Sequence, residues 1–224
     1  MTYAEYIEYH KRGDAGVEER AIASICRRLR LTAWDSFRLI YYYATTYHIP
    51  SALAILSNPK IDSRELVFRT DRRYVRANNA YGRMMRELTT DKEAALNGCH
   101  TTTEAYNVVS EWFYFGRYAA FLFLEVYINV FHPVWVDDLK FAWTGNENYY
   151  KGAVLITGSR DRDKLDAFLE RAKVDTGDNC FAIETSLCAV EKIRKGTRWQ
   201  GYYTERFIKE AQASKYAKLI MSCL

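Results

Sequence analysis

The sequence predicts an all-α fold in a single globular domain spanning residues 1–224. Three observations predict it. Only three prolines and eleven glycines occur, too few for an all-β plan of tight turns and few enough to permit long helices. Bulky apolar groups recur at three- and four-residue intervals, most plainly in TAWDSFRLIYYYATTYH from Thr32, and that is the helical period. A hydrophobic content of 49% can fill one substantial core at this length.

Residues 1–30 read as one or two helices with charges on one side and Ala, Ile, Cys and Leu on the other. A helix follows from Thr32 or Asp35 to about Tyr47, ended by Pro50. Ser51 is placed to cap a short helix over ALAIL to Ser57, and Asn58-Pro59 turns the chain. The segment from Glu65 to Leu88 begins extended and becomes helical at Asp71, its cap. Asp91 opens a short helix to Leu96. From Thr101–Thr103 a long helix runs to about Val130, apolar on most sides and therefore central. Gly116 inside it costs about 1 kcal/mol against Ala, which marks close packing or a break. Residues 131–158, with Trp135, Trp143 and GNENYYKG, read as an irregular excursion over the surface. Asp161–Lys173 is an amphipathic helix and Asp175–Asn179 a loop. Cys180–Lys195 forms a helix stopped by Gly196, and Tyr203–Ser222 forms the last.

The net charge of +4 excludes a histone-like polycation. Arginines are nevertheless clustered, at Arg20, Arg27, Arg28 and Arg30, at Arg64, Arg69, Arg72, Arg73 and Arg76, and at Arg83 and Arg86. Such zones suit a polyanion, with a solvated helix surface as the bland alternative. The five cysteines show no zinc spacing, and an odd number without an apolar leader fits reduced thiols in a cytoplasm. Tyr118 to Val130 is too short, and too interrupted by Glu125 and Asn129, to span a bilayer. No metal site, cofactor or membrane anchor is expected.

GxGxxG, GxxxxGK[ST], HExxH and GxSxG are all missing, which argues against nucleotide-hydrolysing and dinucleotide-binding enzymes. Three segments could carry chemistry. In TDRRYVR, Arg72, Arg73 and Arg76 offer forked phosphate donors beside Tyr74, a ring that can stack on a base. In FGRYAAFLFLE, Arg117 and Glu125 sit two helical turns apart in apolar surroundings, as either a pocket floor or an internal ion pair. In FAIETSLCAVEKIRKGTRWQGYY, Glu184, Cys188 and Glu191 share a helical face, followed by Arg198 and Trp199 in a turn. Cys188 alone reads first as a small buried hydrophobe; for the set the two readings lie closer.

With TDRRYVR, YFGRYAAFLFLE and IETSLCAVEKIRKGTRWQGYY together, the chain resembles the alpha-glutamyl/putrescinyl thymine pyrophosphorylases, the amino acid:DNA transferases of bacteriophages with hypermodified thymine. The likeness covers roughly the last half and residues 70–76. It implies an all-helical enzyme, near helical base-excision glycosylases in fold. The implied partners are DNA carrying phosphorylated 5-hydroxymethyluracil and an amino acid or polyamine, whose amino group displaces the (pyro)phosphate. Arg72, Arg73, Arg117 and Arg198 would then neutralise the leaving group. Glu184 or Glu125 would deprotonate the amine, and Cys188 could add to the pyrimidine at C6. Tyr74, Trp199, Tyr202 or Tyr203 would stack on a flipped base. Two alternatives stand beside this one: a non-catalytic DNA-binding phage accessory protein, and a helical base glycosylase, which calls for a glycine-rich hairpin that is not evident.

Overall fold

The structure, a computed structural model, describes residues 1–143 and 147–224. Among them the chain forms fourteen α-helices and two single-turn 3-10 helices, and its only β pairing is one bridge between Thr101 and Val136. The chain is all-α. In order the helices are α1 (Tyr3–Lys11), α2 (Val17–Arg28), α3 (Ala33–Thr46), α4 (Ile49–Ser57), α5 (Arg73–Ala77), α6 (Tyr81–Arg86) and α7 (Thr90–Asn97). Then come α8 (Thr102–Ser110), α9 (Arg117–Phe131), α10 (Asn148–Thr157), α11 (Arg162–Thr176), α12 (Cys180–Arg194), α13 (Tyr202–Gln212) and α14 (Ala217–Met221). They group into two compact units, Met1–Val17 with Asp137–Phe207, and Glu18–Val136 with Ile208–Leu224.

In the first unit α10 packs most intimately on α12. Gly152 makes this possible: a Cβ there would overlap the Leu187 carbonyl. Side chains set the helix starts. Asp161 accepts the Lys164 amide at 3.0 Å, and Asn179 accepts those of Phe181 and Ala182 at 3.0 and 3.2 Å. The core is Phe181, Ile183 and Leu187 against Leu165, Leu169 and Tyr149, each such buried side chain contributing about 1.5–3 kcal/mol. The sequence-based expectation of an irregular stretch over 131–158 is corrected by α10. Gly152 looks like a weak helix former, but it is the small residue that lets α12 approach, and Ala153 and Tyr149 are buried on the same helix. Part of the expected turn in GNENYYKG, Gly145 and Asn146, lies outside the described residues.

The second unit is built around α3, whose Phe37, Leu39, Ile40, Tyr41 and Tyr43 are all fully buried. Its rings interlock with those of α9 and the turn before it: Phe37 with Phe123 at 5.5 Å, Phe37 with Trp112 at 6.1 Å, and Tyr41 with Phe115 at 4.9 Å. The single long helix expected over 101–130 is two. Residues 111–116 break it, because Tyr114 adopts a left-handed backbone (φ 64°) that an α-helix cannot contain, and Gly116 stands extended before α9.

Three further boundaries differ from expectation. α4 begins at Ile49 and not Ser51, with His48 as its cap and Pro50 in the first turn, where no N–H is needed. Asp71 caps nothing and instead binds Arg72. The last stretch is α13 and α14, not one helix. No described helix is long and apolar enough to cross a membrane.

Candidate functional site

The eleven side chains singled out from the sequence divide between the units: Glu184, Cys188, Arg198, Trp199, Tyr202 and Tyr203 in the first, Arg72, Arg73, Tyr74, Arg117 and Glu125 in the second.

The six in the first unit form two groups, a pair on α12 and an aromatic cluster with Arg198 about the start of α13. On α12 the Cys188 thiol donates to Glu184 Oε1 at 3.4 Å, one turn back. Glu184 is buried and Cys188 half-buried. Burial, reinforced by Cys188, pushes the Tyr203 hydroxyl up, while Arg206 and Arg198 oppose. Tyr203 meets Tyr202 edge-on at 5.3 Å, Tyr202 meets Trp199 at 5.0 Å, and the Arg198 guanidinium lies 4.2 Å from the Tyr202 ring. Trp199 is 53% exposed, leaving an indole face open for stacking. Glu191, on the same helical face by spacing, plays no part in either group. It is fully buried and clasped by Arg194 at 2.6 and 2.8 Å and by Lys195 at 3.2 Å. Arg194 thereby holds its carboxyl below the usual range.

One residue that holds the second group has no signal in the sequence. Asp14 accepts the Gly201 amide at 3.1 Å and both the amide (2.9 Å) and hydroxyl (3.0 Å) of Thr204. It caps α13 from the far end of the chain, and no local spacing could announce it.

In the second unit the five residues are not equivalent. Arg72 does not offer itself to phosphate: it is 6% exposed, donates to the Tyr114 carbonyl at 2.8 Å and forks onto Asp71. Its neighbours do face solvent. Arg73, Tyr74, Arg76, Arg83 and Arg86 are all exposed on α5 and α6. Arg83 pairs with Glu87, but no carboxylate pairs with Arg73, Arg76 or Arg86 among the described residues. This is a basic surface carrying one exposed ring, chemistry suited to a phosphodiester backbone. Arg117 opens α9, its guanidinium 4.4 Å from the Phe121 ring. Glu125 is buried eight residues on, about 12 Å further along the axis.

Two buried polar clusters are invisible in the sequence because their members are far apart in the chain. In the second unit, Arg69 clasps Glu18 with both terminal nitrogens and reaches Glu210 at 3.2 Å. Tyr43 donates to Glu19 at 2.7 Å and to Glu18 at 3.4 Å. Burial, then the Glu18 charge, raises the Glu19 carboxyl above its ordinary value. In the first unit, His10 lies between Ser186 (Nδ1, 2.9 Å) and Asp178 (Nε2, 2.6 Å), with Tyr6 also on Ser186 at 2.9 Å. The order imitates a nucleophile, base and acid, but Ser186 is 2% exposed and also bonds the Ile183 carbonyl. The chain of bonds therefore ties α1 to α12 and offers no reachable nucleophile.

Among the described residues no group of His, Cys, Asp and Glu could hold a metal ion. Comparison with protein-family models, with characterised proteins and with solved structures finds no match to this chain.

Proposed function

We propose that this protein binds DNA and modifies a base in it, exchanging a phosphate-type leaving group on an exocyclic methylene for an amine, as the sequence resemblance implies. The observation that carries the reading is the Cys188–Glu184 contact, with Arg198 and the rings of Trp199, Tyr202 and Tyr203 clustered about the start of the next helix.

Each part suits one step. Glu184 Oε1 is placed to take the Cys188 proton. The thiolate adds at pyrimidine C6, and the electron pair released toward C5 expels the (pyro)phosphate, breaking its C–O bond. The amine then adds to the exposed methylene and loses its proton to a carboxylate, and elimination of the thiolate restores the ring. Arg198 would offset the charge of the departing group, and the open face of Trp199 would hold the base out of the stack. The exposed arginines of α5 and α6 would grip the DNA backbone.

The test uses duplex DNA carrying phosphorylated 5-hydroxymethyluracil, incubated with the protein and a mixture of amino acids and polyamines, then digested and weighed as nucleosides. An amine adduct that disappears with Glu184→Gln and Cys188→Ala supports the reading; no adduct with any donor removes it.

A second reading, DNA binding without catalysis, is favoured by the basic surface alone. It predicts salt-dependent binding of unmodified duplex that neither substitution alters, and no adduct.

A further inference from the structure

The C-terminus of α2 carries one of several side chains held on a left-handed backbone. Arg30 stands in the left-handed region (φ 50°). The Leu31 amide bonds the Cys26 carbonyl and the Arg30 amide bonds the Arg27 carbonyl, both at 3.1 Å. This is the helix-ending motif whose left-handed position belongs to glycine. Glycine holds the corresponding position at Gly158 and Gly177, after α10 and α11, whereas Tyr47 and His132 hold it after α3 and α9. At Arg30 it is held by an arginine.

Arg30 lines a cavity of about 270 Å³. Arg27 lines it too, with Ser36 and the Cys26 thiol among the polar groups and Val130 and Phe131 on the apolar side. No acidic side chain lines it, and among the described residues neither arginine pairs with a carboxylate. Arg27, Arg28 and Arg30 are all exposed. Ala33 and Ser36, from the first turn of α3, form part of the wall, so the positive end of a fourteen-residue helix adds to the two guanidiniums. The carbonyls of Cys26 and Arg27 that would oppose an anion are already bonded. Asp35, the acid in that first turn, is held by Thr32 and by Arg38 at 3.0 Å.

We propose that this cavity is a binding site for a small organic phosphate monoester: the phosphate between Arg27 and Arg30, and its organic part on Val130 and Phe131. Two forked cations match a dianion better than a carboxylate, since a phosphate monoester carries about −1.5 to −2 near neutrality. The apolar wall distinguishes the site from one for inorganic phosphate. Nothing in this assignment depends on the base-modification reading.

Calorimetric titration of the full chain tests it, with thymidine 5′-monophosphate, thymidine, benzoate, and a dinucleotide with and without a 5′-phosphate. Saturable binding of the monophosphate, with thymidine and benzoate at least tenfold weaker, is expected. Arg27→Gln with Arg30→Gly should weaken it tenfold or more. Arg30→Gly alone should weaken binding while raising the melting temperature, a combination that misfolding cannot produce. The phosphorylated dinucleotide distinguishes sources: binding as tight as the mononucleotide assigns the site to nucleic-acid ends, and exclusion assigns it to free metabolites. Equal binding of thymidine or benzoate, or no loss in the double variant, overturns the proposal.

Discussion

The Asp14 carboxylate holds Thr204 by both its backbone amide, at 2.9 Å, and its hydroxyl, at 3.0 Å. That pair anchors the start of α13, where Tyr202 and Tyr203 stand. Asp14→Ala removes a helix cap and leaves a half-buried amide and hydroxyl short of an acceptor. The cost should be about 1–3 kcal/mol, read from urea unfolding. Base-modifying activity, where present, should fall even at temperatures where the variant stays folded; unchanged stability would show that Asp14 caps nothing.

Gly152 and Gly116 make a matched pair of tests. A methyl at 152 meets the Leu187 backbone, which cannot swing aside as a side chain would. Gly152→Ala should therefore destabilise by about 3 kcal/mol as overpacking. At Gly116 nothing lies within 4 Å of an added Cβ, and the backbone is extended at φ −69°, so Gly116→Ala should shift stability by less than about 0.5 kcal/mol. Similar melting temperatures for the two variants would contradict the α10–α12 packing.

The buried acid Glu19 sets a pH dependence whose sign follows from its raised pKa. Its proton is held more tightly in the fold than at the ordinary 4.5. The stability it contributes is complete below about 4.5 and is lost as pH rises through the folded value. Glu191 acts in the opposite sense: lowered by Arg194, its contribution is present above about 4.5 and disappears as pH falls through its folded value. Glu19→Gln keeps an acceptor for Tyr43 but cannot ionise. Unfolding free energies measured from pH 4 to 8 should decline less steeply in that variant; identical slopes would mean that Glu19 is ionised throughout.

The basic surface predicts a salt signature. Removing one arginine–phosphate interaction should reduce the slope of log K against log salt by about 0.9. Replacing Arg73, Arg76 and Arg86 by Gln should thus flatten the slope for duplex DNA by up to about 2–3, with the fold intact because all three are exposed. Arg72→Gln should do the reverse: it costs stability, since Arg72 holds Asp71 and the Tyr114 carbonyl, with a smaller effect on the slope. Fluorescence anisotropy over a salt series separates the two, and an unchanged slope in the triple variant would exclude this face as the DNA-binding surface.

What the sequence determined by itself was the local structure. The helical period of α3, the caps at Thr32 and Asp161 and the stop at Gly196 are written within a few residues of where they act. So is the Glu184–Cys188 contact, because a helix places residues four apart on one face whatever surrounds it. Tertiary structure decided what could be reached. It buried Arg72 while leaving Arg73 in water, broke the 101–130 helix at Tyr114, made Gly152 a contact and not a weakness, and gathered Glu18, Tyr43, Arg69 and Glu210 around one buried charge network. Those outcomes depend on partners many residues away, and the burial and electrostatic energies that select them exist only once the chain has packed.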